Sequence, residues 1–399
     1  MRRLACLLAV ASLAGADGAA FAERVNAAID RGVAWLKAKQ RPDGSFGRIG
    51  GEAYVGAVKP YDYPAGPTAL ALQTLLKCGT PPGDPAVVMG FQHLLRNHAK
   101  PGSTYEVAIV MLALEAKANP VKRERLQPVG EAKGQRPLAL SPEDRRWMQA
   151  LLDQLVKSHR GHGWRYFDAE AGDPHGIHLD LSNTHYAVMA LHAAQRAGLK
   201  VPAAVVTGTA DWVLSQQEKD GPKRERFDPD AGKPGRSVST VQDRARGWAY
   251  AKDSPTAAEA MATGSMTAAG IIILEMCADI AAALDPAWLA RRRAALERAI
   301  ADGLAWLDLN WAVDRNPPGY NPYGVFYLYG VERVRDLRRR TLIGAHDRYT
   351  EGATYLLESQ GDDGRWDQSD IHPPRDVLNT CFALLFLDRA TLSVTTPRR

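Results

Sequence analysis

The chain has 399 residues, 45% of them hydrophobic and 24% charged, with a formal net charge of +5. These are ordinary values for a globular protein with a sizeable core and exclude a disordered or fibrous chain. The basic residues are dispersed, and runs such as VKRER (121–125) and DLRRR (336–340) read as solvated faces, so no nucleic-acid partner is expected.

The first 22 residues read as a secretory signal. Arg2 and Arg3 form a positive n-region, residues 4–13 a short apolar core, and Ala20-Phe21-Ala22 places small residues at both positions a signal peptidase reads. The apolar stretch is too short to cross a bilayer, and no later stretch is read as a span. An exported (periplasmic or secreted) soluble protein beginning near Glu23 is expected. Losing two arginines and Asp17 takes its net charge from +5 to +4. Cys6 lies too deep in the apolar run for a lipid anchor. The remaining Cys78, Cys277 and Cys381 are odd in number and each sits in an apolar helical run, so buried free thiols are expected rather than disulfides.

From residue 31 onward an internal repeat dominates. RGVAWLKAKQRPDGSFG (31–47) and EGATYLLESQGDDGRWD (351–367) carry Gly, an aromatic, Leu, Gln, Gly and an aromatic at one spacing. Their markers are Gln40, Gly44 and Phe46, and Gln360, Gly364 and Trp366. Weaker copies are anchored at His98, His159, Gln217 and Trp311, so that successive anchors from Gln40 to Gln360 lie 58, 61, 58, 94 and 49 residues apart. Gly102, Gly163, Gly221 and Arg315 occupy the glycine position, so the fifth copy keeps neither marker.

Each anchor ends an apolar stretch with helical spacing, and glycine there suits a chain leaving a helix. A more apolar stretch follows each one: GPTALALQTLL, STYEVAIVMLAL, SNTHYAVMAL, GSMTAAGIIIL, NPYGVFYLYG and LNTCFALLFL. Ser, Asn, Thr or Pro opens these segments, as N-caps and first turns do. Six hairpins of twelve helices are therefore predicted over residues 23–392, followed by a tail at 393–399. The amphipathic set suits an outer ring, and the more apolar set an inner ring covered on both sides. No substantial strand is expected. Polar stretches near 116–140 and 219–263 read as surface insertions.

The repeated string resembles the QW repeat of squalene and oxidosqualene cyclases and, more distantly, the β subunits of protein prenyltransferases. In strict form it covers 31–47 and 351–367, and in degenerate register nearly all of 23–392. The resemblance implies an all-α fold, an α/α toroid around a central cavity. A Gln amide can satisfy orphan groups at helix ends and an aromatic ring can stack on it, so the repeat speaks to architecture more than to chemistry. The cyclases carry Asp-x-Asp-Asp-Thr at the start of an inner helix, with the middle Asp as the acid. Here DVLNT (376–380) has Leu378 in the middle and Asn379 third, and DLSNT (180–184) has Ser182 and Asn183. Neither Leu nor Ser protonates an alkene, so class II cyclase chemistry is not expected. The prenyltransferases hold zinc with an Asp two residues before a Cys and a distant His. The residues two before the cysteines here are Leu76, Glu275 and Asn379, so no metal or cofactor is expected.

HGIHLDLSNTHY (175–186) is the densest polar cluster. His175, His178, Asp180 and His185 suit metal binding or acid–base work, or equally a capped helix start with hydrogen-bonded histidines. Asp376 opens the last inner helix in an equivalent position and has the same two readings. His178, Asn183, His185, Tyr186, Tyr323 and Asn379 are the cavity candidates. Tyr61, Tyr63, Trp164, Tyr166, Trp248, Tyr250, Tyr320, Tyr323 and Tyr327 concentrate in loops and helix starts, where rings stabilise cations, stack on ligands or pack. The leading expectation is a small-molecule or lipid ligand, elongated and isoprenoid-like, held in the cavity without class II cyclase chemistry. A polysaccharide hydrolase or lyase using Asp180 and Asp376 is the first alternative. An interaction scaffold with a plugged cavity is the second. Whether the protein is an enzyme, and which protein it partners, stay open.

Overall fold

The computed structural model describes residues 16–50, 62–120, 138–166, 179–226, 241–319, 323–338, 346–367 and 375–388. Twelve long helices alternate between two layers. The outer set is α1 (Ala16–Ala38), α3 (Pro85–Asn97), α5 (Pro142–Lys157), α7 (Ala203–Gln216), α10 (Pro286–Leu309) and α12 (Arg348–Ser359). The inner set is α2 (Gly66–Lys77), α4 (Thr104–Ala118), α6 (Leu181–Arg196), α9 (Gly264–Leu284), α11 (Gly324–Arg338) and α13 (Asp376–Leu387). Between α7 and α9 lies the short α8 (Ala257–Ala260). Two small antiparallel ribbons pair β1 (Ile49–Gly50) with β2 (Asp62–Tyr63) and β3 (Lys223–Glu225) with β4 (Gln242–Arg244).

The inner helices form a closed ring: α2 packs on α4, α4 on α6, α6 on α9, α9 on α11, α11 on α13, and α13 back on α2. The outer helices sit behind them, with α1 against α12 and α13, α3 against α2, α5 against α4 and α6, α7 and α10 against α9, and α12 against α11. Burial follows the sequence pattern. Every residue of α2 is buried, whereas α5 buries only Asp144, Trp147, Met148, Leu151, Leu152 and Leu155 along one face. Helix starts are capped as their residues suggest: the Asp84, Ser103, Ser141, Asp180, Thr263, Asp285 and Asp347 side chains each accept a first-turn backbone N–H. Cys78, Cys277 and Cys381 are buried, and none forms a disulfide among the described residues.

The repeat motif is the joint between hairpins. Gln40 Nε2 donates to the Gly44 carbonyl of its own loop (3.1 Å) and to the Ala86 carbonyl of the next outer helix, α3 (2.8 Å). Gln360 does the same with Gly364 (2.8 Å) and Ala28 of α1 (2.9 Å), which closes the outer ring. Gln217 bonds Arg246 (3.0 Å) and Ala299 of α10 (2.9 Å). His159 Nε2 lies 3.2 Å from Thr209 Oγ1 on α7, and Trp311 Nε1 donates to Glu351 on α12 at 2.7 Å. Two of the degenerate anchors, His159 and Trp311, thus still bond to the next outer helix.

The aromatic marker binds both of its own helices. Trp164, Trp248 and Trp366 each donate Nε1 to a late carbonyl of the preceding outer helix, Leu155, Val213 and Leu356, all at 2.8 Å. Their backbone N–H groups, and that of Phe46, donate to a threonine of the following inner helix: Thr184, Thr267, Thr380 and Thr68. The rings therefore satisfy helix-end carbonyls that have no intrahelical partner.

Several expectations change. In the fourth repeat the counterpart of Gly44 is Arg246, not Gly221, because Gln217 and Trp248 stand 31 residues apart where Gln40 and Phe46 stand six apart, so that 25 extra residues split the motif. Glu218 N–H donates to the Gly247 carbonyl across the gap. The second insertion is consequently not all surface, since Trp248 is fully buried. α4 runs on to Ala118, and residues 121–137 of the first insertion lie outside the described residues. Among the described residues α9 is, by length and composition, apolar enough to cross a membrane, where no such stretch was expected. It belongs to the inner ring, enclosed by α6, α7, α10 and α11, and 78% of its most apolar stretch is buried inside the fold. A helix covered on all sides has the same composition as a membrane span. α1 begins at Ala16, ahead of the expected cleavage point, and from Gly18 onward its first buried residue is Val25.

Gly44 (φ 87°) and Gly364 (φ 93°) are left-handed, and a Cβ on either would lie 2.5 Å from the Met89 carbonyl oxygen or 2.7 Å from that of Arg31. The loop backbone itself packs on the next outer helix. Gly44→Ala is expected to cost at least about 1–3 kcal/mol. Gly83→Ala, with open space around its Cβ, should stay within about 0.5 kcal/mol of wild type. Urea unfolding of both variants checks the joint, and equal midpoints would contradict it.

Candidate functional site

All inner helices start at one end of the ring, and the sequence-derived candidates gather there. Asp180 is 3% exposed. Its Oδ1 accepts the Asn183 backbone N–H (2.7 Å) and its Oδ2 the Asn183 side-chain amide (2.8 Å). Burial nevertheless prevails over these bonds, and over one from Tyr250, and lifts the carboxyl pKa to about 7. Ser182, at the position where a cyclase has its acid, accepts a 2.6 Å hydrogen bond from Tyr105. Burial together with the Asp180 charge raises the pKa values of Tyr105, Tyr166 and Tyr250, so their hydroxyls stay protonated as donors around Asp180.

Asp376 behaves differently. Its Oδ1 accepts the adjacent Val377 N–H (2.8 Å), its side chain is 24% exposed, and Arg365 Nη1 lies 3.9 Å away. It is the first residue of α13 and not, as expected, its cap. α6 and α13 are also three steps apart in a ring of six, hence diametrically opposed. At helix spacings of 8–10 Å their axes are roughly 16–20 Å apart. Each carboxyl engages its own helix start or a neighbouring loop, so the arrangement does not make the close pair, roughly 5–9.5 Å apart, that glycoside hydrolysis uses.

The other candidates divide. His185 is buried, neither ring nitrogen has a hydrogen-bond partner among the described residues, and burial with Arg333 nearby lowers its pKa to about 3, so it is neutral. Asn183 Oδ1 and Asn379 Nδ2 are likewise buried without partners among the described residues. Tyr323 is 42% exposed, with the Arg375 guanidinium 5.3 Å from its ring centre. His175, His178, Tyr61 and Tyr320 lie outside the described residues. Trp164, Trp248 and Tyr327 are fully buried and belong to the scaffold. Among the described residues no three His, Cys, Asp or Glu side chains converge as metal ligands.

Tyr186 joins a file of rings along the axis. Tyr63 meets Tyr166 (6.4 Å between centres), Tyr166 meets Tyr105 (5.4 Å) and Tyr105 meets Tyr186 (5.2 Å). Tyr186 then stacks on Phe326 (6.3 Å), Phe326 meets Phe382 (5.2 Å), and Phe382 meets Tyr329 (5.6 Å). Tyr63, Tyr105, Tyr166 and Phe326 keep part of their surface uncovered. At the far end, beside Tyr329, lies a pocket lined by Lys77, Glu115, His192, Arg196 and Arg333, among others. Sequence reasoning missed this charged end. Lys77, Glu115 and Arg196 stand at the close of apolar runs, where charges normally mark solvent-exposed helix ends. Spacing gave a usable signal: Tyr105, Tyr186 and Phe326 recur within the first two turns of their inner helices.

No protein-family model matches this sequence, and no curated protein does. Among solved structures the chain is similar to the type II terpene cyclase MstE from Scytonema. A single-residue variant of MstE in complex with its substrate geranylgeranyl dihydroxybenzoate is 11% identical with a TM-score of 0.52, over 94% of this chain and 99% of that one. A second variant with the same substrate is 10% identical with a TM-score of 0.49, over 94% and 98%. At such identity the likeness is one of architecture: this chain has the fold of the terpene-cyclase toroids.

Proposed function

We propose that this protein holds an elongated, isoprenoid-like apolar molecule along the axis of its toroid and does not cyclise it by protonation. The observation that carries the reading is the file of seven rings from Tyr63 to Tyr329, several with uncovered surface. Stacked faces and edges of this kind suit an unsaturated hydrocarbon chain. The similar toroid of MstE holds a geranylgeranyl-bearing substrate, which supports the ligand class. The uncovered ring surface favours a ligand over a plugged scaffold, and the opposed carboxylates speak against a glycosidase.

Chemistry at the Asp180 end supports binding rather than cyclisation. Protonating an unactivated alkene needs an unusually strong acid. Asp180 is a weak one, its pKa lifted to about 7, and Ser182 stands at the position of the acid. Asp180 and its fence of tyrosines can instead accept and donate hydrogen bonds to a polar group of the ligand. We further propose export with cleavage after Ala22, supported by the n-region, apolar core and Ala-x-Ala site. Ahead of Val25 in the described part of α1 no residue is fully buried, and Phe21 is the partly buried side chain there that packs against the core, so cleavage removes that one contact and keeps the buried core.

A fluorescent geranylgeranyl probe should bind the purified protein, be displaced by geranylgeraniol, and bind at least tenfold more weakly to Phe326→Asp. Displacement by oligosaccharides but not by isoprenoids would refute the reading. Incubation with squalene in detergent is expected to yield no polycyclic product, and product that vanishes in Asp376→Asn would restore the cyclase.

Asp180 also gives a pH prediction. Its folded-state pKa lies above the unfolded value, so its ionisation destabilises the fold as pH rises from about 4 to about 7. Asn caps as well as Asp does, so Asp180→Asn should gain on wild type across that window, by up to about 4 kcal/mol, and then level off. Urea titrations at several pH values test this; a pH-independent difference would contradict it. N-terminal sequencing of secreted protein should find Glu23 or a near neighbour first, and an intact Met1 would refute cleavage.

A further inference from the structure

The charged end of the lumen is built like a recognition site. Lys77 ends α2, Arg196 ends α6, Glu115 lies in the last turn of α4, and Arg333 sits within α11; with Gln73, His192 and Tyr329 they line one pocket. Glu115 is the lining carboxylate. It pairs with Arg196 Nη1 and faces Lys77 Nζ at 3.7 Å. Burial alone would raise its pKa, but Lys77, Arg196 and Arg333 together hold it below the usual carboxylate range. His192 is engaged by Asp279 at 2.9 Å, and Asp388 acts on Lys77 from outside the lining.

Arg333 is the exception. It is 5% exposed, and its contacts are the Tyr329 hydroxyl, which accepts from Nη1 at 3.2 Å, and the ring of the same tyrosine. No carboxylate among the described residues pairs with it, and its Nε is buried without a hydrogen-bond partner. Arg196 Nη2 is a second buried donor left open. Cations near helix C-termini are stabilised by the helix dipole, which accounts for Lys77 and Arg196 but not for Arg333 inside its helix. A buried, unpaired guanidinium is costly unless something anionic meets it, and guanidinium donors match a carboxylate's two oxygens. The space in this partly open pocket is about 10 Å³, close to what one water-sized group needs, so the end group it receives must be small.

We infer that this pocket receives the carboxylate of the ligand, so that the occupant is a long-chain isoprenoid or fatty acid with its tail along the rings; the inference rests on the reading of the lumen given above. Tyr329 links the two regions, with its ring against Phe382 and its hydroxyl on Arg333. The test compares farnesoic acid, farnesol and acetate on wild type, Arg333→Gln and Arg333→Lys by calorimetric titration. Wild type should bind the acid at least tenfold more tightly than the alcohol. Arg333→Gln should lose that preference while keeping its farnesol affinity, which also reports that the variant is folded, and Arg333→Lys should recover part of it. Equal binding of acid and alcohol to wild type, or a preference that survives in Arg333→Gln, overturns the inference and leaves the lumen reading standing. Acetate binding as tightly as the acid would make this a free-anion site and also overturn it. Failure of both isoprenoids to bind removes the lumen reading itself.

Discussion

A side-chain amide with two neighbours holds this molecule in its shape. At the end of an outer helix Gln40, Gln217 or Gln360 spends one NH₂ group on two carbonyls, one in its own loop and one on the next outer helix. Each such bond in a half-buried place contributes only about 1 kcal/mol. Its geometric effect is larger, because it fixes the angle between successive hairpins. At two joints without glutamine, His159 and Trp311 make a hydrogen bond to the next outer helix instead. With the angles fixed, six hairpins meet their own beginning, and the inner helices lose every solvent-facing side except the one toward the axis.

That closure gives the lumen its polarity. The inner helices run the same way, so their positive ends gather around Asp180 and the tyrosines and their negative ends around Lys77 and Arg196. The carboxyl is at one end, the cations are at the other, and the rings lie between them. The same enclosure explains the unusual protonation states. Asp180 and His185 are both driven toward their neutral forms by burial, although one is an acid and the other a base.

The scaffold was legible in the sequence because its signals are local. Glycine, glutamine and an aromatic at fixed offsets, and caps before apolar runs, mark most of the hairpins, and the register they set places the fifth, which has Trp311 and Arg315 at the Gln and Gly positions. The split fourth motif was misaligned because Gly221 happens to stand four residues after Gln217, where contiguous spacing asks for a glycine. The interior was less legible. Asp180 could be seen as a helix start, but whether Asp376 faced it depended on counting helices around a ring. Arg333 stands just ahead of DLRRR, which reads as a solvated face, and only the ring's curvature turns it inward. Lumen residues come from five or six helices far apart in sequence, so no local pattern announces them.

The joint between α12 and α1 is chemically the same as the joint between α1 and α3: Gln to carbonyl, glycine backbone against a helix, and the same three-residue offset from Ala28 to Arg31 and from Ala86 to Met89. The ring therefore has no seam. Where the polypeptide is cut is an accident of connectivity, not a mechanical weak point. A circularly permuted chain, opened at another hairpin and joined across the present ends, would keep every one of these contacts.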